Sequence, residues 1–155
     1  MSYVRFAAMI ATSTIIMFGL MYLNTYSMDH LFFSQTRAWM ALLMGATMAV
    51  VMLLFMWRMY ENTSANIAIV IAAVVAFGGS LALVRSQATV DDVSYMKAMI
   101  PHHSIAIMTS ERARISDPRV RQLADEILEA QVREIDEMKA LIADLEGGSV
   151  AEGRN

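Results

Sequence analysis

Two adjacent histidines, His102 and His103, follow Met99-Ile100-Pro101 within a stretch that runs from Met96 to Met108. That stretch holds two of the three histidines of the chain and three of its fifteen methionines. On a helix Met99 stands three residues before His102 and four before His103, so the three side chains share one side. Imidazole and thioether together suit a soft metal, and copper, as Cu(I) or Cu(II), is the expected ion. Met96 and Met108 add thioether donors to the same segment.

A second set of residues is expected to face this one. In a helix predicted over about 118–146, Ile127, Gln131, Glu134 and Met138 fall on one side by helical angle. Gln131 and Glu134 interrupt an apolar stripe, and buried polar groups need partners. The histidines opposite can supply them. A Glu134 carboxylate accepting a ring N–H would orient a ligating histidine, and Met138 would add a thioether. The same residues also admit a plainer reading, in which the histidines tie the two helices together or respond to pH.

The elements that position these groups follow from punctuation in the sequence. Thr89-Val90-Asp91-Asp92 resembles a capping box with Asp in place of Glu, and predicts a helix from there to about Ile115. Pro101 removes a backbone donor inside it and is expected to kink it. Asp117 as N-cap and Pro118 at the first helical position start the second helix. Gly147-Gly148 are expected to stop it, leaving residues 148–155 as a disordered tail. A two-helix hairpin over 88–147 buries too little to stand alone, so it is expected to pair into a four-helix bundle as a homo-oligomer.

Ahead of the hairpin the chain changes character. Its 155 residues are 57% hydrophobic with a mean hydropathy of +0.46, too apolar for an ordinary soluble domain. The charges gather after Val84-Arg85. Residues of about 4–23, 38–57 and 66–84 each reach the length of a transmembrane helix, and Trp39 and Trp57 bracket the second. The predicted fold is therefore all-α: a three-span membrane domain over 1–86, then the hairpin. The lipid bilayer is its first partner. A net charge of −3 gives no reason for a nucleic-acid partner. The absence of cysteine excludes disulfides, thiolate metal sites and thiol catalysis.

Three spans put the first loop and the hairpin on the same side of the membrane. His30, His102 and His103 then share that side. Arg5 and Arg58 flank one face, Arg37 and Arg85 the other, and the N-terminal amine tips the balance toward a hairpin outside the cytoplasm. Met28 and His30 in the first loop are expected either as an auxiliary ligand pair near Met40 and Met44, or as an ordinary interfacial loop.

The hairpin resembles a known family. Met99-Ile100-Pro101-His102-His103, Ala106 and Met108, Asp117-Pro118 with Val120-Arg121 and Leu123-Ala124, then Ile127, Ala130-Gln131, Glu134-Ile135 and Met138 are similar to the bacterial domain-of-unknown-function 305 family over about residues 88–146. The resemblance implies a ferritin-like helical hairpin, mostly in extracytoplasmic proteins, some of them linked to copper binding and resistance. It places the expected site on Met99, His102, His103, Met108, Gln131, Glu134 and Met138. In this chain it implies a protein of the bacterial inner membrane.

Within the second span, Met40, Met44, Met48, Met52 and Met56 recur at every fourth residue. They would cover about 24 Å of a roughly 30 Å hydrocarbon core. Thioethers at that spacing could pass Cu(I) along, but Ala68, Ala72, Ala76 and Ser80 of the third span offer a small-residue groove into which methionine knobs would pack. Packing is the favoured reading. No acidic residue or histidine lies inside a span, which argues against an active pump. No Glu-x-x-His motif is present, which argues against a carboxylate–histidine enzyme. The expected function is sequestration or transfer of copper by a membrane-anchored, non-enzymatic protein. The alternative is a structural or sensory membrane module.

Overall fold

The computed structural model describes residues 2–152, with side chains through Gly147. The elements are α1 (Tyr3–Leu20), a 3₁₀ turn (Met28–His30), α2 (Gln35–Phe55), a second 3₁₀ turn (Trp57–Met59), α3 (Thr63–Ser86), α4 (Asp92–Arg112) and α5 (Pro118–Glu152). No strand occurs among the described residues. The chain forms two compact units, Met1–Met21 with Gln35–Thr89 and Tyr22–Ser34 with Val90–Asn155.

In the first unit α1, α2 and α3 are each long and apolar enough to cross a membrane. They occupy the three predicted spans to within a turn. Helix α2 turns Ala41, Gly45, Ala49 and Leu53 inward, one residue in four. Helix α3 answers with Asn66, Ala73 and Ser80, one residue in seven. Small side chains on both helices let the backbones come close. The groove differs from the expected one: Ser80 is buried and Ala76 half-buried, but Ala68 and Ala72 are exposed. The methionine ladder flanks this seam instead of filling it. Met40 is exposed, and Met44, Met48, Met52 and Met56 are half-buried.

Gly45 sets the approach of α1. A Cβ built there would lie 2.3 Å from Thr14 Oγ1. Thr14 satisfies its own hydroxyl by donating to the Ile10 carbonyl at 2.8 Å. At one end of the unit, fully buried Asn66 donates from Nδ2 to the Tyr60 carbonyl at 3.0 Å. Its Oδ1 accepts from the Tyr3 hydroxyl at 2.8 Å. The Tyr3 and Phe6 rings close on Tyr60 at 5.0 and 5.6 Å between centroids.

In the second unit α4 and α5 form the predicted hairpin. Asp91, not Thr89, caps α4, its carboxylate accepting the Ser94 N–H at 2.7 Å. The helix ends at Arg112, short of the expected Ile115. It runs unbroken through Pro101, which is fully buried. Asp117 starts α5 as expected, accepting the Arg119 N–H at 2.9 Å. Helix α5 does not stop at Gly147-Gly148 but continues to Glu152. No described glycine adopts positive φ, so the pair does not form the left-handed cap that would end a helix. Of the tail expected over 148–155, residues 153–155 lie outside the described residues.

The hairpin core is Met96, Ile100 and Ile107 of α4 against Ile135 and Ile142 of α5. Phe32 from the loop between α1 and α2 packs against the same cluster. That loop therefore belongs to the hairpin unit.

Candidate functional site

The α4–α5 contact leaves one flank open as a cleft of about 500 Å³, whose lining includes Met96, His103, Glu134 and Met138. Each group arrives there by helical spacing. His103 follows Met96 by seven residues, two turns on the same side of α4. Glu134 and Met138 are one turn apart on α5. Asp92, Glu137 and Asp144 add carboxylates to the cleft wall.

Its central contact joins the two helices. His103 Nδ1 lies 3.3 Å from Glu134 Oε2. The imidazole is mostly buried, and Nδ1 has no aligned hydrogen bond and no solvent access. The pair therefore has the separation of a contact without its directionality. Burial holds the His103 imidazole below the ordinary histidine value, and His102 adds to that, while Glu134 opposes it. Gln131 Nε2 stands 3.5 Å from the same Glu134 oxygen and steadies it.

The expected site residues separate into groups. His103, Glu134, Met96 and Met138 meet at the cleft, with Gln131 beside Glu134. His102 is exposed, its ring 6.0 Å from that of His103 and outside the cleft lining. Met99 and Met108 are half-buried and do not line the cleft. Met28 is exposed in its loop, and Met40 and Met44 belong to the other unit. Among the described residues no three His, Asp or Glu side chains converge to hold a metal ion.

His30 has a different setting. Its Nδ1 is 3.0 Å from Ser104 Oγ, and its Nε2 is 3.7 Å from Asp29 Oδ2. Ser104 is fully buried and also accepts the Tyr26 N–H at 2.8 Å. Lys139 of α5 pairs with Asp29 and holds that carboxyl far below the usual range. The Arg112 guanidinium stands 5.9 Å from the centre of the Tyr26 ring. His30 thus clamps the loop to α4, and burial lowers its basicity. Ser104 is the residue that reading the sequence missed. Its signal was present: it is a hydroxyl on the apolar face of α4, four residues after Ile100 and three before Ile107.

Comparison with known proteins adds a family but no activity. Residues 82–154 match the "Domain of unknown function (DUF305)". An "Uncharacterized protein L153" of Acanthamoeba polyphaga mimivirus is 36% identical over 106 residues, covering 67% of this chain and 68% of the viral one. No solved structure matches the chain. The hairpin that builds the His103–Glu134 cleft lies within the matched segment, and the chain belongs to the DUF305 family.

Proposed function

We propose that this protein is a membrane-anchored copper-binding protein that sequesters or passes on Cu(I) at the α4–α5 cleft. The observation that supports this most is the His103 Nδ1–Glu134 Oε2 pair. A histidine with a purely structural role normally has its buried ring nitrogen hydrogen-bonded. Here the buried Nδ1 faces a carboxylate oxygen without a hydrogen bond. A carboxylate set beside a buried imidazole is the usual partner that orients a ligating histidine.

Met96 and Met138 give the cleft its preference. The imidazole and the two thioethers favour a soft cation, and the carboxylates of Asp92, Glu134, Glu137 and Asp144 supply compensating negative charge. His103 and the two methionines would ligate the ion. Glu134, steadied by Gln131, would neutralise its charge. The hairpins pair into a four-helix bundle, the unit lies outside the cytoplasm, and the methionine ladder is packing material beside the α2–α3 seam. The chain carries no catalytic role in this reading.

The test is a Cu(I) competition titration against a chromophoric chelator, on the full-length protein in detergent. Wild type is expected to compete. His103→Ala should weaken binding by at least tenfold, and Glu134→Gln by 10- to 100-fold, while His102→Ala should change it little. Failure of wild type to compete, or equal affinity in His103→Ala, would overturn the proposal.

A further inference from the structure

Helix α5 carries an apolar stripe that stands exposed in its own unit among the described residues. Leu123, Ile127, Leu141 and Leu145 are exposed at 55, 39, 47 and 46% of their surface. At 3.6 residues per turn all four lie within about 20° of the direction of Glu134. They are also placed evenly about it. Leu123 and Leu145 each stand eleven residues from Glu134, and Ile127 and Leu141 each stand seven. Ala130 and Met138 stand four residues to either side, a small residue matched with a large one.

A stripe that reads the same in both directions about one residue is self-complementary under a two-fold rotation. We infer that two copies of this chain pair α5 to α5 in antiparallel fashion about Glu134, and that the pairing assembles one cation site from both chains. Leu123 of one copy then meets Leu145 of the other, and Ile127 meets Leu141. The open cleft lies over the Leu141–Leu145 half of the stripe and is partly lined by Tyr95 and Met96. It receives the side chains of Leu123 and Ile127 from the second copy.

The inference rests on the copper reading of His103 and Glu134, and it deepens that reading. One chain offers no set of three His, Asp or Glu ligands among its described residues. Two chains related about Glu134 offer two carboxylates and two imidazoles at the axis. Carboxylates brought together at the axis repel one another, and a shared proton or a bound cation relieves that repulsion; the two imidazoles beside them make the site one that a cation can fill. Met99, one turn before His103 and about 40° round α4, lies at the edge that the second copy would cover.

The chain contains no cysteine, so introduced cysteines are clean reporters. Leu123→Cys, Leu145→Cys and the double variant would be made in the full-length protein, reconstituted in bilayers and oxidised with diamide. Antiparallel pairing brings residue 123 to residue 145 of the other copy and keeps like positions roughly 33 Å apart. The double variant should therefore cross-link to a covalent dimer, and neither single variant should form one. Wild type should sediment as a dimer in detergent and bind one Cu(I) per two chains.

Cross-linking of Leu123→Cys alone to the same extent, or a monomeric wild type, would overturn the pairing. A cross-linked dimer holding one copper per chain would overturn the shared site. Copper bound without cross-linking leaves the copper reading intact and removes this inference. Cross-linking without copper binding supports the pairing and removes the copper reading.

Discussion

His30 Nδ1 stands 3.0 Å from Ser104 Oγ, although 74 residues and two long apolar helices separate them in the chain. Ser104 also takes the Tyr26 N–H, so one buried hydroxyl ties the α1–α2 loop to α4. Replacing Ser104 with Ala leaves two polar groups without a partner and should cost about 1–3 kcal/mol. Hydrogen exchange should then rise across residues 22–34 and little in α5. Unchanged protection of that loop would count against the clamp.

Acid should loosen the same unit. His30 and His103 are both held below the ordinary imidazole value of 6.5 by burial. Asp29 and Asp136 pull His30 the other way and Lys139 adds to the lowering; Glu134 pulls against the shift at His103. A base whose folded pKa is lowered takes up its proton more readily when unfolded. Stability is then fully present above about pH 6.5 and falls as pH drops from there toward the folded values. Melting curves between pH 8 and pH 5 should show this decline, and His30→Gln should flatten part of it. A melting temperature that rises over this range would contradict the assignment.

Copper binding should show the same protonation from another side. Protons compete for a ligating imidazole, so Cu(I) affinity in wild type should fall on acidification through the lowered folded value of His103. His102→Ala should keep that pH profile, and His103→Ala should lose it along with the affinity. Titration at pH 7.5 and pH 5.5 separates the two variants.

Gly45 is required by contact rather than by backbone conformation. A Cβ there meets Thr14 Oγ1 at 2.3 Å and Thr14 Cγ2 at 3.2 Å. Gly45→Ala should force α1 and α2 apart at a cost of about 1–3 kcal/mol. Thr14→Ala in the same chain should recover most of it, because it removes the two closest atoms. Thermal unfolding in detergent of the two single variants and the double variant measures the coupling.

Asn66 holds one end of the apolar unit. Asn66→Leu would leave the Tyr60 carbonyl without the Asn66 amide and the Tyr3 hydroxyl without Oδ1. A loss of about 1–3 kcal/mol is expected, against about 0.5–1.5 kcal/mol for Tyr3→Phe. Equal losses would show that the Asn66–Tyr60 bond contributes nothing beyond the tyrosine hydroxyl.

Much of this protein was legible in the order of its residues. Three apolar runs of span length, the Asp117-Pro118 start of α5 and the helical spacing of Met96, His103, Glu134 and Met138 are local properties, and local physics decides them. Helix period places Glu134 on the apolar stripe of α5 whatever the hairpin packs against. The cap of α4 falls at Asp91 rather than Thr89, and α5 passes through Gly147, because competing local signals there differ by only a few tenths of a kcal/mol to about 1 kcal/mol.

What the tertiary structure alone decided is which neighbouring residues part company. His102 and His103 are adjacent in sequence, yet about 100° of helical turn sends one to solvent and the other against Glu134. Only the direction from which α5 approaches determines which is which. The same holds for Met99, which shares a turn with His103 but misses the cleft. It holds as well for the small groove of α3, where Ala73 and Ser80 pack inward and Ala68 and Ala72 do not. The tie between His30 and Ser104 depends on contact across 74 residues, which no periodicity within a single segment records.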